Sequence, residues 1–212
     1  TEIAGTRIIP LVIEEEKMQK ACEVAGKEPI FRILPYQKKK AGIVTTGSEV
    51  YYHRIEDKFT PVVIEKLKEC GVTAQIQCND DHEMITEAIQ TLIEDGSDLI
   101  VCTGGMSVDP DDRTPLAIKN ACTEVVTYGA PVLPGAMFML AYCEKEGRQI
   151  PVMGLPGCVM YAKRTIFDLV LPRIMCDEKL HEKDFRLLGQ GGLCLSCPVC
   201  TFPNCGFGKG GY

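Results

Sequence analysis

From residue 41 onward, short apolar runs alternate with amphipathic stretches. Residues 41–46 (AGIVTT) make a clean apolar run of strand length. Phe59, Val62, Val63 and Leu67 then fall on one face of a helix that Gly71 closes. Residues 72–77 alternate apolar and polar side chains, as a half-buried strand does. Met84, Ile85, Ala88, Ile89, Leu92 and Ile93 trace a second, strongly amphipathic helix ended at Gly96. Residues 99–102 are a continuous, β-rich apolar run, the pattern of a strand buried on both faces of a parallel sheet. This alternation predicts an α/β fold, a three-layer α/β/α domain with a mostly parallel sheet. Further on, the pattern predicts a short helix over 115–122, a strand over 124–128, and strands over 137–142 and 149–153 joined as a hairpin by the polar turn 144–148. A helix over 158–171 follows, with Val159, Ala162, Ile166, Leu169 and Val170 on its apolar side. Thr60-Pro61 and Thr114-Pro115 both read as an N-cap followed by Pro at the first helical position.

Outside this core the pattern is less regular. Residues 1–40 read as a lead-in, either part of the main domain or the end of a preceding one, with an extended segment over 8–13, a helix over 14–25 closed by Gly26, and a strand over 29–34. The chain begins with Thr rather than Met, so a preceding segment is expected. The main domain runs over 41–174, with a linker over 175–192 and a cysteine-rich tail over 193–212.

Composition narrows the function classes. The chain has 212 residues, 45% of them hydrophobic and 25% charged, as in a soluble globular protein. A net charge of −6 argues against nucleic acid as a partner. No apolar stretch approaches the length of a membrane span and no secretory signal is visible, so no membrane partner and a cytoplasmic location are expected. Eight of the 12 cysteines are scattered singly in mostly apolar contexts and read as reduced core residues.

The candidate chemistry sits where predicted strands end. Residues 98–115 (DLIVCTGGMSVDPDDRTP) run from a strand through Gly104 and Gly105, past Ser107, into Asp109, Asp111 and Asp112, and on to a helix. Glycines there let the backbone turn sharply and expose N–H groups to an anion. Similar small-residue or acidic turns follow the other strands: Thr46-Gly47-Ser48-Glu49, Asn79-Asp80-Asp81 and Gly154-Leu155-Pro156-Gly157. Loops after parallel strands emerge at one edge of a sheet, where α/β proteins bind ligands. Carboxylates repel a phosphate unless a cation lies between them, so amides and acids together point to phosphate chemistry assisted by Mg²⁺. The plain alternative for Asp81 is a helix cap.

TTGSEV (45–50), CTGGMSVDPDD (102–112), VLPGAMFML (132–140) and GLPGCVMYA (154–162) resemble the molybdopterin-binding domain family, closest to its molybdopterin molybdenumtransferase branch. The resemblance spans roughly residues 41 to 174. It implies binding of a pterin phosphate and insertion of molybdate into adenylylated molybdopterin, with a divalent cation assisting. Gly104, Gly105 and Ser107 match the family's ligand-cradling turn, and Gly154, Pro156 and Gly157 match a second one. Gly135 matches its PG motif, and Thr46, Gly47, Ser48 and Thr103 complete the ligand-lining set. Asp112, Asp80 and Glu49 match its acids, which implies catalytic roles for the three and Mg²⁺ at Asp112. A homo-oligomer is expected. Departures from the pattern are Asp109 in place of Gly, Ala136 in place of a basic residue, Cys158 in place of Asn and Val159 in place of Pro. Cys158 and Ala136 favour a contrasting class, a non-catalytic binding or sensing module, whereas the intact Asp80 and Asp112 favour the enzyme. The DPDDRT run (109–114) is also similar to the competence-damage-inducible family, which hydrolyses nucleotide pyrophosphates on this fold.

The tail reads LCLSCPVCTFPNCGFGKGGY (193–212), with Cys194, Cys197, Cys200 and Cys205 close together between glycine-rich flanks that read as a tether. Thiolates at such spacing can wrap one metal centre. The CxxCxxC run suggests an iron–sulfur cluster, with zinc the alternative.

Overall fold

A strand that is apolar on both faces must be covered on both, and the sheet of this protein is built that way. The structure, a computed structural model, describes residue 5 and residues 11–29, 31–68 and 71–210. Six strands lie in the order β2-β1-β3-β6-β5-β4. They are β1 (Lys40–Thr46), β2 (Gly71–Cys78), β3 (Leu99–Thr103), β4 (Glu124–Tyr128), β5 (Met139–Lys145) and β6 (Arg148–Leu155). The first four in that order pair parallel, and β5 and β4 complete the sheet antiparallel. Along β3, Leu99 and Val101 enter one core cluster while Ile100 and Cys102 enter the other, which is why the strand reads as an unbroken apolar run.

Helices α4 (His82–Glu94) and α5 (Thr114–Ala121) cover one face, with Ile85, Ile89, Leu92 and Ile118 fully buried. The other face packs against α3 (Phe59–Lys66), α6 (Ile166–Met175) and α7 (Glu182–Leu187). This is the expected three-layer α/β/α architecture. The hairpin is also as expected: β5 and β6 are joined at Glu146 and Gly147, both at positive φ, the backbone of a tight two-residue turn.

Several local readings change. Thr60 does not cap α3; the Asp57 carboxylate does, accepting the N–H groups of Phe59 and Thr60 at 2.9 and 3.0 Å. Thr114 lies inside α5 rather than capping it. Asp81 is the cap of α4, accepting from Glu83 and Met84, a bond worth about 1 kcal/mol. The helix expected over 158–171 is two elements, a 3-10 turn (Gly157–Met160) and then α6. The break falls at Thr165, where Thr165 and Asp168 form a capping box. Cys122 and Cys143, expected as reduced core residues, are joined in a disulfide with Cα atoms 4.2 Å apart.

The stretch 175–192 holds α7 and a 3-10 turn (Leu188–Gly191), with Leu180 and Phe185 buried in the core. Nor are the glycines beside the tail a loose tether. A Cβ on Gly192 would collide with the Pro131 carbonyl, and one on Gly208 with Leu169. Tail residue Phe207 is itself buried.

The chain divides into two compact units, Thr1–Pro35 and Tyr36–Tyr212, and the sheet belongs to the second. In the first, α1 (Glu15–Ala25) ends at Gly26 as expected, with no buried residue. Residues 31–34 form no strand, and Phe31 and Ile33 stand largely exposed. Residues 8–10 of the expected extended segment, and Ile30, lie outside the described residues. Among the described residues no helix is long and apolar enough to cross a membrane.

Asp168 ties α6 to α3: its carboxylate receives Lys66 Nζ at 2.7 and 2.8 Å and Arg164 at 2.9 Å, and its side chain is 6% exposed. Removing it strands Lys66 and opens the capping box, so Asp168→Ala is expected to cost about 3 kcal/mol in urea unfolding. On the same helix, Arg173 grips Glu178 through Nε at 2.8 Å and Nη2 at 2.5 Å, and hydrogen bonding to that guanidinium holds the Glu178 carboxyl below its ordinary range. The stabilisation is full above the ordinary glutamate value of about 4.3 and is lost as pH falls through the lower folded value. Unfolding midpoints stepped below that pH should fall less steeply in Arg173→Gln than in the parent.

Candidate ligand cleft at the carboxyl edge of the sheet

Parallel pairing delivers the predicted loops to one edge. Thr45 lies opposite Thr103, Thr103 opposite Leu155, and Thr46 opposite Cys78. The turns beginning at Gly47, Asn79, Gly104 and Pro156 therefore leave the sheet side by side. A hydroxyl knot holds the middle two strand ends. Thr114 Oγ1 donates to the Gly104 carbonyl at 2.9 Å and lies 3.2 Å from Thr46 Oγ1. Gly104 and Gly105 turn at φ +87° and +55° against this knot, and their Cβ atoms would stand 2.5 Å from the Thr46 carbonyl oxygen and 2.7 Å from Thr114 Oγ1. Only glycine fits both the space and the backbone there.

A cavity of about 600 Å³ opens beside this corner. Among the expected ligand-lining residues, Ser107, Gly135, Pro156 and Gly157 line it, and so do Ala136 and Cys158, two of the four positions where the sequence departs from the family pattern. Gly157 is exposed, and a Cβ there would meet nothing within 4 Å. Gly154 lies beneath instead, with Met106 packed 2.6 Å from where its Cβ would be, so it supports the floor of the turn. Thr103 is buried at the end of β3, and its Oγ1 is one of two buried side-chain atoms without a hydrogen-bond partner among the described residues.

The acids brace loops. Asp80 Oδ2 accepts from the Ser48 N–H at 2.9 Å and from Ser48 Oγ at 2.6 Å, joining the turns after β2 and β1. Asp112 Oδ2 accepts from the Ser107 N–H at 2.5 Å and so closes the glycine loop on itself. Glu49 stands exposed on α2 (Ser48–Tyr51). Two amides that a bare turn would offer to an anion are thus held by carboxylates here.

Some residues escape a sequence reading. Tyr128, at the end of β4, lies close enough to Asp112 that its phenol is pushed up, first by burial and then by that charge. Burial likewise pushes the Cys158 thiol up. Leu193 and Cys194 form part of the cavity wall, brought there by a bridge to Leu133. That bridge joins segments far apart in the chain, and no local pattern announces it. Of the tail cysteines, Cys194 and Cys205 are half-buried and Cys197 and Cys200 exposed. Among the described residues no three His, Cys, Asp or Glu side chains are gathered as a metal-holding group.

A mostly parallel sheet between helix layers, with glycine corners and acids gathered at its carboxyl edge, defines a ligand-binding α/β/α domain. The family described as "Probable molybdopterin binding domain" matches residues 42–175, and the chain belongs to it. Two solved structures share the fold. The tungsten cofactor synthesizing protein MoaB of Pyrococcus furiosus superposes with a TM-score of 0.55 at 20% identity, over 68% of this chain and 99% of that one. The molybdopterin biosynthesis enzyme MoaB of Thermus superposes at 0.54 and 19% identity, over 66% and 98%. Among curated relatives, a CinA-like protein of Mycobacterium sp. (strain MCS) is 38% identical over 85 residues, 39% of this chain and 20% of that protein. Another, of Mycobacterium avium (strain 104), is 36% identical over 95 residues, 44% of this chain and 22% of that protein. The chain thus aligns with about a fifth of the length of these relatives.

The two glycine corners should respond differently to one methyl group. Gly104→Ala is expected to destabilise the domain by about 2 kcal/mol, whereas Gly157→Ala should fall within about 0.5 kcal/mol of the parent. Chemical denaturation of both variants checks this.

Proposed function

We propose that the cavity at the sheet edge binds molybdopterin, with its phosphate at the glycine turns, and that the domain acts in molybdenum cofactor biosynthesis. The observation that carries this is the lining of one cavity by Ser107, Gly135, Pro156 and Gly157, drawn from three separate loops. Family membership supplies the ligand class. The volume of about 600 Å³ suits a pterin-sized molecule.

The finer reading is that the domain serves molybdate insertion into adenylylated molybdopterin. Magnesium asks for only one or two carboxylates plus substrate oxygens, so a half-buried Asp112 beside exposed Asp109 and Asp111 is a sufficient donor set. Bound there, the ion would supply charge neutralisation at a phosphate. Asp112 also sets the Ser107 turn through its Oδ2 bond, so its charge and its bracing role need separating. Cys158 and Ala136 in the wall favour retained binding with altered turnover. A second reading, pyrophosphate hydrolysis of a free nucleotide, draws on the 38% identity to the CinA-like protein.

The test is titration of the purified chain with molybdopterin, followed by single-turnover assays with adenylylated molybdopterin, molybdate and Mg²⁺. Gly157→Ala should weaken binding at least about tenfold while the fold stays intact. Asp112→Asn, which keeps the acceptor for Ser107, should retain binding and lose turnover. No binding by the parent chain sinks the reading, and hydrolysis of a nucleotide in its place installs the second.

A further inference from the structure

The strongest feature that the ligand cleft leaves unexplained is the loop from Cys194 to Phe207. It carries no helix or strand, yet both its ends are fastened to the domain. At one end the Cys194 N–H donates to the Leu133 carbonyl at 2.8 Å, and the Leu133 N–H returns a bond to Gly192 at 2.6 Å. At the other end Phe207 is buried in the core, and the Gly208 N–H reaches the Gly191 carbonyl at 2.5 Å. Between the anchors, Phe202 packs near Phe207 and carries the Arg164 guanidinium 4.9 Å above its ring.

Cys194, Cys197, Cys200 and Cys205 all line one cavity of about 390 Å³, and all four are free of disulfides. No carboxylate or imidazole shares that lining; Tyr161, Ser196 and Thr201 bring neutral hydroxyls, and the four thiols are its metal-binding donors. Lys163 and Arg164 also line it and bring positive charge to where thiolates would gather. A donor set of thiols without carboxylates selects a soft or borderline metal over magnesium or calcium. A short irregular loop with four thiols and no disulfide is also the kind of segment that a structural metal organises.

We propose that this loop is a thiolate site for one thiophilic metal centre, a zinc ion or an iron–sulfur cluster, ligated by Cys194, Cys197, Cys200 and Cys205. The sulfurs are spread around the cavity rather than drawn to one point, and Cys197 and Cys200 lie on its exposed arm. The anchored ends hold Cys194 and Cys205 against the core, so ligation would draw the sulfurs together within a loop whose ends are already held. Each thiol loses its proton on ligation, so loading zinc releases protons to solvent.

The full chain, purified without oxygen, is assayed for zinc, iron and acid-labile sulfide per chain, and its free thiols are titrated. About one centre per chain is expected; zinc identifies one source, and iron with matching sulfide the other. Cys197→Ser and Cys200→Ser alter exposed positions and should keep the parent's circular dichroism while retaining at least about tenfold less metal. Cys22→Ser, far from the loop in sequence, should retain all of it. The proposal is overturned if the parent holds no metal after incubation with Zn²⁺, or with Fe²⁺ and sulfide, and all four tail thiols stay reactive. It is equally overturned if both serine variants keep the parent's metal content. Neither result depends on what the cleft at the sheet edge binds.

Discussion

Burial of both faces of the three parallel strands β1, β3 and β6 is the constraint from which the cleft follows. Slipping any of them by one residue would exchange the side chains of the two cores, placing Ile100 and Cys102 where Leu99 and Val101 now pack. Register is therefore held by the whole apolar interior, and the loops inherit it. Thr45, Thr103 and Leu155 stand level with one another because their strands cannot slide. Only with the strand ends level can Thr46 and Thr114 meet over Gly104, and only then does the glycine corner stand beside the turn at Pro156.

The carboxylates of this edge have two tasks that are easily confused. Asp80 and Asp112 both accept hydrogen bonds from the serine of a turn, and each such bond shapes the loop that carries the other site residues. A charge-assisted bond of this kind is strong enough to order a turn without any ligand. Loss of function on removing the acid would therefore say little about chemistry. The amide replacement, which can still accept a hydrogen bond, is the one that isolates the charge.

Most of the fold was legible because the apolar patterns are strong and consistent. The run at 99–102, the helical face at Met84 to Ile93 and the hairpin turn at Glu146-Gly147 each repeat one message at several positions. Errors arose where two local signals competed. Thr60-Pro61 resembles a cap and first turn, but Asp57, three residues earlier, accepts the N–H groups of Phe59 and Thr60 and starts the helix sooner. The apolar periodicity over 158–171 masked the Thr165–Asp168 capping box that starts a new helix. The glycines around the tail suggested looseness, although glycine serves equally where two backbones touch, as Gly192 does against Pro131. The glycine corners of the site were readable from their position after strands. Leu193 and Cys194 were not, because only tertiary pairing brings them there.

That pairing changes how the tail should be viewed. The bridge between Leu133 and Leu193 makes one backbone unit of the segment before Gly135 and the start of the cysteine loop. Cys194 consequently lines the cleft at the sheet edge on one side and the cysteine cavity on the other. The packing of Gly192 on Pro131 leaves no room for a side chain between the two segments. A wall built from two hydrogen-bonded strands of chain is stiffer than either loop alone, and the position of Gly135 in the cleft is set partly by residues some sixty positions away. The C-terminal loop is thus part of the architecture of the ligand cleft, not an ornament hung beyond it.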